Sequence, residues 1–515
     1  MANRAVKIGP APLVLSLSIA ALILGSAAIV AFNANSFRLN PADFSALRFT
    51  VLQAALSAAL STLLAVPVAR ALHRRRFAGR KLLVKLMAAP FVLPVVVAVL
   101  GLIAVFGRSG PINVLLAGLH LPTISIFGLH GVVLAHVFLN LPLATRMLLH
   151  GWQTIPVERF RLAASLGMAP HAQFQHLEAP MLRGLVPGIM AVIFLICLTS
   201  FAVALTLGGG PKASTLELAI YQSLRFDFDL GRAAMLATLQ FLLCAGVTLA
   251  SARLTVPSAF GAGLGRSLDI PAPQGWRKAV DVVCISLASL LLFAPLTAII
   301  AKGVPGVINL PPQTWPAVWR SLGIACVSAG LSTSVALRLA LTAARRPSRW
   351  LEFSAMLPLS ASSLVLGTGL FLAIRPLFAA ETMALPVTVL VNTTLTVPFL
   401  FRLLLPEAKL LNTDYARLVQ SLGLQPIAEL RYITLPRLAR PIGYGAGLAA
   451  ALSMGDLGVI ALFAGDSDPT LPLLVQRLMG AYRMQDAAAV ALILVMLSFG
   501  LFWAFDRIGN RDVDA

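Results

Sequence analysis

Acidic side chains are scarce in this chain: 20 Asp and Glu stand against 40 Lys and Arg in 515 residues, and charged residues of both signs make up only 12%. So little charge cannot cover the surface of a soluble protein of this length. Cysteine is rarer still. Cys197, Cys244, Cys284 and Cys326 show no CxxC or Cys/His spacing, which argues against a disulfide framework or a zinc site. All four fall inside apolar runs and read as small core residues. His171 and His176 are spaced poorly for one helical face and have no carboxylate cluster beside them, so no metal site is expected. A phosphate-cradling G-x-x-x-x-G-K-[ST] is also missing. The stretch "GGGPKAST" (208 to 215) has the glycines and the lysine, but Pro211 precedes Lys212. The chain is therefore expected to bind no nucleotide and to perform no covalent chemistry.

What is present is grease. Hydrophobic residues make up 58% of the chain, and the mean hydropathy is +0.87. A bilayer core takes about 20 apolar residues as a helix. Such runs are expected at 12 to 32, 49 to 70, 82 to 106, 129 to 149, 186 to 207, 231 to 254, 279 to 301, 317 to 343, 352 to 375, 384 to 405, 442 to 463 and 487 to 506. The first follows Arg4 and Lys7 but is long and ends without a clean cleavage site, so it reads as a retained helix. The fold class is an all-α polytopic membrane protein.

Placing the N-terminus inside puts the basic stretches "HRRRFAGRK" (73 to 81) and "RRPSR" (345 to 349) on the cytoplasmic side, with both termini. The loops from 150 to 185 and 407 to 441 fall there too. The net charge of +20 is then a topology signal. Because the basic residues are spread over separate loops without aromatic interleaving, no nucleic-acid partner is expected; the surrounding partner is lipid.

The chain also repeats itself. "RLAASLGMAP" from Arg161 and "RLVQSLGLQP" from Arg417 share six of ten residues at an offset of 256. At that offset Pro142, Arg146, Ser165, Leu166, Gly167, Pro170 and Pro180 fall on Pro398, Arg402, Ser421, Leu422, Gly423, Pro426 and Pro436. "SAALST" (57 to 62) echoes "SAGLST" (328 to 333) at a slightly larger offset. Two homologous six-helix halves are expected, at 1 to 254 and 279 to 515, joined by a linker at 255 to 278. Six spans per half is even, so the repeat is parallel and both copies of the loop face the same side.

Each copy has a local grammar. Pro156 and Glu158 suit a helix first turn, Gly167 the left-handed position that ends a helix, and Pro170 the start of another. Thr413 with Asp414, Gly423 and Pro426 are expected to repeat this. One reading is a plain surface hairpin. The other is a docking element, favoured because two copies in register share one side.

The spacing Gly167, Leu177, Pro180 and Gly423, Ile433, Leu435, Pro436 resembles the "EAA" loop of ABC importer permeases. The resemblance implies the type I ABC importer permease fold, with a coupling helix in each copy seated on an ATPase. Arg161, Leu162, Ser165, Leu166, Gly167, Pro170 and Pro180 would form one socket; Arg417, Leu418, Ser421, Leu422, Gly423, Pro426 and Pro436 would form the other. Arg161 and Arg417 stand where that family carries Glu, a departure bearing on any contact made by that carboxylate.

Segments such as "GVVLAHVFLNLPLATRMLL" (131 to 149), "SFAVALTLGGGPKASTLELAIYQSL" (200 to 224) and "SMGDLGVIALF" (453 to 463) narrow the similarity to the fused permeases of bacterial thiamine importers. That resemblance implies an inner-membrane subunit taking thiamine, with its phosphate esters, from a periplasmic binding protein by alternating access. Two copies of a partner ATPase would use ATP and Mg. The alternatives are a ferric-iron permease and, less favoured, an ion-coupled secondary transporter, which would need buried carboxylates.

Few carboxylates lie in the spans. Asp456 in "SMGDLG" is the exception, and Ser200 holds its place in the first half. Either Asp456 contacts a cationic substrate, or neighbouring backbone or a basic side chain satisfies it. The outer segments 208 to 229 and 464 to 485 mix Gly and Pro with a helical stretch. Glu217, Tyr221, Asp227, Asp468, Gln476 and Tyr482 are their candidates for receiving the binding protein; the other reading of each is an ordinary loop residue.

Overall fold

The computed structural model describes residues 10–34, 39–210, 213–251, 254, 275–465 and 469–511. Among them there are helices and no strand. Eleven helices are long and apolar enough to cross a bilayer, and a pair bent by 91°, Arg349–Ser360 with Ser363–Ile374, brings the number to twelve when taken as one span. The expected linker lies outside the described residues up to position 274.

The first repeat opens with α1 (Pro10–Asn33) and α2 (Pro41–Arg74), whose start is held by the Asp43 carboxylate accepting from the Asn40 N–H at 3.1 Å. The run at 82 to 106 is three helices rather than one: α3 (Arg80–Leu86), α4 (Ala89–Val92) and α5 (Val95–Phe106). Proline is the reason. Pro94 forces Leu93 into an extended conformation, ψ 125°, which no helix can continue through. After α6 (Pro111–Gly118) come α7 (Leu129–Gln153), α8 (Val157–Ser165), α9 (Pro170–Gln173), α10 (Ala179–Leu198), α11 (Phe201–Leu207), α12 (Leu216–Arg225) and α13 (Leu230–Ser251).

The second repeat runs through α14 (Trp276–Gly303), α15 (Thr314–Arg345), α16 (Arg349–Met356), α17 (Ser363–Ile374), α18 (Ala384–Ser421), α19 (Pro426–Glu429), α20 (Leu435–Met454), α21 (Gly458–Phe463), α22 (Leu471–Gly480) and α23 (Met484–Arg511). Its broken third span, α16 and α17, restarts where the Ser362 hydroxyl accepts from the Val365 N–H at 3.1 Å. The runs at 186 to 207 and 442 to 463 also break, at Thr199 and Ser200 and at Gly455 to Leu457. Irregular backbone inside an apolar span survives only where protein shields it or where it lines a watery cavity.

Close packing comes from small side chains. Ala54, Ser57, Ala58, Ser61, Thr62 and Ala65 form the buried face that α2 turns to α7; Ala325, Ser328, Ala329, Ser332, Thr333 and Ala336 do the same for α15 on α18. Near the end of the chain α20 lies so close to α23 that a Cβ on Gly443 would meet the Phe505 carbonyl at 2.6 Å, and one on Gly447 the Phe502 carbonyl at 2.8 Å.

Compactness divides the chain differently from the repeat. One unit holds residues 39–218 and 246–308; the other holds 1–38, 219–245 and 309–515. The first helix of each repeat is therefore exchanged: α14 packs on α5 and α2, whereas α1 packs on α17, α16 and α15. Glycine makes both dockings possible. A Cβ on Gly101 of α5 would strike the Pro295 carbonyl of α14 at 2.8 Å; one on Gly369 of α17 would strike the Ser26 carbonyl of α1 at 2.7 Å. On its outer face α14 exposes Val283, Leu287 and Leu290, as a lipid-facing helix should.

Not every cysteine is a core residue. Cys197 and Cys244 are buried and Cys284 is half-buried, but Cys326 is exposed, because it lies on the face of α15 turned away from Ala325 and Ala329.

Candidate coupling loops and buried polar sites

In both repeats the glycine turn of the loop is made the same way. The helix carrying Arg161 ends in a Schellman motif: the Gly167 N–H donates to the Ala164 carbonyl at 3.0 Å and the Met168 N–H to Ala163 at 2.9 Å. In the second copy the Gly423 N–H donates to Gln420 at 3.3 Å and the Leu424 N–H to Val419 at 3.2 Å. That motif needs a left-handed residue, and Gly167 (φ 64°) and Gly423 (φ 57°) supply it. Pro170 and Pro426 then open α9 and α19, each followed by a π-helical turn, Phe174–Glu178 and Leu430–Thr434. Pro180 and Pro436 stand in the first turn of α10 and α20, where no N–H partner is required.

One part of the grammar does not recur. Thr413 starts no helix: its hydroxyl donates back to the Lys409 carbonyl at 2.9 Å and α18 runs on unbroken to Ser421. Pro156 ends this continuity in the first copy, whereas Asn412 at the equivalent place allows it.

Arg161, Leu162, Ser165, Leu166, Arg417, Leu418, Ser421 and Leu422 are exposed, as are Pro170, Pro180, Pro426 and Pro436. Leu166 and Leu422 show 68% and 61% of their surface, at matching places in the two loops.

The sequence reading missed what holds these loops. Glu178, 1% exposed, accepts from Arg70 Nε at 2.6 Å and from an Arg74 guanidinium nitrogen at 2.5 Å. Its one signal was a carboxylate two residues ahead of Pro180. In the second copy Thr434 stands at the place of Glu178, and a different carboxylate, Glu429, at the place of Gln173, pairs with Arg345, at the place of Arg74. Arg345 is half exposed, so this pair is the weaker one.

Asp456 lies at the break between α20 and α21. The backbone amides of Gly458 and Val459 donate to its carboxylate, whereas Oδ2 is buried with no hydrogen-bond partner among the described residues. Ser321, Thr388, Ser453 and Thr470 line a small cavity with it. Ser200 lies at the matching break, between α10 and α11, and half-buried. Near it the first repeat holds a polar layer that sequence reasoning did not single out. Gln53 Nε2 donates to the Cys197 carbonyl at 2.9 Å, Asn140 Nδ2 to the His136 carbonyl at 2.9 Å, and His136 Nδ1 meets Ser57 Oγ at 3.2 Å.

The proposed receiving residues separate. Asp227 is exposed and pairs with Arg232 at 3.3 Å, and Tyr482 is 88% exposed. Tyr221 and Gln476 are half-buried; burial raises the Tyr221 phenol above its ordinary pKa, so it stays neutral. Asp468 lies outside the described residues. Glu217 is corrected: it is fully buried, because α12 turns this position inward next to Leu216, whose N–H donates to Thr50 Oγ1 at 2.9 Å.

No family model matches the chain. Over 479 residues it is 41% identical to the thiamine transport system permease protein ThiP of Escherichia coli (strain K12), across 90% of this chain and 89% of that relative. The chain belongs to the thiamine transport permease family. Its ThiP relatives in Brucella abortus (strain 2308) and Haemophilus influenzae are 38% and 34% identical, over 89% and 90% of the chain. With nine-tenths matched, both repeats take part in the family likeness. Family members are named as transport permeases, not enzymes, and a multi-pass membrane location follows from the eleven or twelve apolar spans among the described residues.

Proposed function

We propose that this chain is the membrane-spanning subunit of an ATP-driven importer that takes thiamine, and its phosphate esters, from a periplasmic binding protein. Both termini face the cytoplasm, and the two halves form the parallel repeat with its cytoplasmic linker. Two copies of a separate ATPase, using ATP and Mg, seat on the two loops. The observation that carries this reading is the 41% identity to a thiamine transport permease over nine-tenths of the chain; the paired loops with exposed leucines support the ATPase contact.

The mechanism is alternating access. A loaded binding protein docks outside, with Asp227, Tyr482, Tyr221 and Gln476 as contacts, while closure of the ATPase pair drives the loops inward and opens the passage outward. Hydrolysis resets it. Asp456, with an unpartnered carboxylate oxygen beside hydroxyls, contacts the cationic thiazolium during passage, and Ser200 lines the matching place. Arg161 and Arg417 meet acidic rather than basic groups on the ATPase.

ATPase activity in nanodiscs tests the reading, with the permease co-expressed with its genomic neighbours and given thiamine-loaded, iron-loaded or empty binding protein. Stimulation by the thiamine-loaded protein alone is expected. Stimulation by the iron-loaded protein would keep the architecture and replace the substrate, and an absent ATPase would overturn the importer reading.

A further inference from the structure

The two coupling loops leave the membrane helices by different constructions. In the first repeat the backbone is jointed: α7 ends at Gln153, Pro156 follows and α8 begins at Val157. In the second, α18 passes through the same stretch as one helix. Side chains differ at the same place. The His73 ring of α2 lies 6.3 Å from Trp152 of α7, stacked, and 5.9 Å from Phe160 of α8, and all three rings are buried. Their equivalents in the second repeat are Ala344, Ala408 and Ala416. Those alanines line a shallow, solvent-open hollow with Leu411, Tyr415, Val419 and Ile433.

A joint interrupts the hydrogen-bond ladder through which a helix carries displacement along its axis. Close-packed rings can carry it sideways instead, because a packed interior resists compression. An unbroken helix needs no such bridge, and alanines suffice beside it. We propose that His73, Trp152 and Phe160 are positioning residues, a brace that transmits movement of α8 into α2 and α7 and replaces the helix continuity of the second loop. The Glu178 clamp to Arg70 and Arg74 ties the far side of the same loop to α2. The inference rests on the reading that these loops receive the ATPase pair.

The experiment uses the permease with its ATPase subunits in nanodiscs. Phe160→Ala should lower substrate transported per ATP hydrolysed by about fivefold or more, a usual coupling magnitude, with the ATPase still bound. Phe160→Tyr should stay near wild type. Adding Pro156→Asn, the residue of the second copy, to Phe160→Ala should restore coupling by rejoining the helix. Unchanged coupling in Phe160→Ala, or no restoration by Pro156→Asn, would overturn the brace. Should Phe160→Ala not fold, Phe160→Leu keeps an apolar side chain while removing the ring.

Spin labels give an arm that needs no transport. With Cys326 and Cys284 replaced by Ala, nitroxides are placed at the exposed positions Ala164→Cys and Gln420→Cys. Loss of the Phe160 ring should mobilise the label at 164 and leave that at 420 unchanged; equal spectra at 164 would sink the inference. Failure of wild-type complexes to respond to thiamine would indict the importer reading, and the label mobility would still judge the brace.

Discussion

At the scale of single residues, burial decides which charges matter. Glu178 compensates two guanidinium groups away from water, so Glu178→Ala should lower stability by about 3 kcal/mol, the low end for breaking a buried pair because Arg70 keeps some exposure. A fall in apparent melting temperature in detergent, larger than for Glu429→Ala, would be the sign; equal falls would refute it. The loop glycines Gly167 and Gly423 resist substitution for another reason. Nothing within 4 Å opposes a Cβ at Gly167 or Gly423, so Ala there meets only the left-handed backbone penalty, about 1–2 kcal/mol. Gly423→Trp, which also places bulk on the face proposed to meet the ATPase, should abolish transport while membrane insertion remains intact. Normal vitamin uptake by that variant would count against the loop reading. Asp456→Asn should raise the KM for thiamine uptake and leave ATPase stimulation by the loaded binding protein unchanged; an unaltered KM would remove Asp456 from the passage.

At the scale of elements, packing distance sets tolerance. A Cβ on Gly443 or Gly447 collides with backbone of α23 rather than with a flexible side chain, so neither neighbour can step aside. Gly443→Leu should therefore cost at least about 1–3 kcal/mol by overpacking, seen as reduced monodisperse yield, whereas Leu at Gly330, with open space around it, should be tolerated. A matching yield for both would contradict the close approach. Elements also show where sequence reasoning succeeds. Hydropathy found runs overlapping the eleven candidate spans and the bent pair, though the third lies at Val95–Gly118 rather than at 82 to 106, because about 20 apolar residues in a row match the thickness of a bilayer core and exceed what a soluble core helix usually buries. It could not show breaks within the apolar runs at 82 to 106 and 442 to 463, since a broken helix shielded by protein is as apolar as a whole one. Gly167 and Gly423 were legible because only a left-handed position demands that residue there. Glu178 was not, since its partners Arg70 and Arg74 are more than 100 residues away. Thr413 misled because a hydroxyl that can cap a helix can equally bond back within one.

At the scale of the whole molecule, the repeat was readable and the exchange of first helices was not, because small docking residues such as Gly101 and Gly369 carry no pattern of their own. The exchange predicts that residues 1–254 and 275–515, produced together as two polypeptides, assemble and support uptake, whereas either alone is degraded. Uptake by one fragment alone would disprove it. There is also a consequence in time. The docking site for α1 on α17 is translated late: Gly369 follows Ser26 by 343 residues. At about 5–20 residues per second, α1 must wait roughly 17–70 s in lipid for its partner. Its stretch Pro12–Asn33 has a mean hydropathy of 2.5, the highest among the spans, and only 33% of that window is buried when assembly is complete. So apolar and so little covered a helix can stand alone in lipid, an anchor that holds the nascent chain in the bilayer until the rest of its unit has been synthesised.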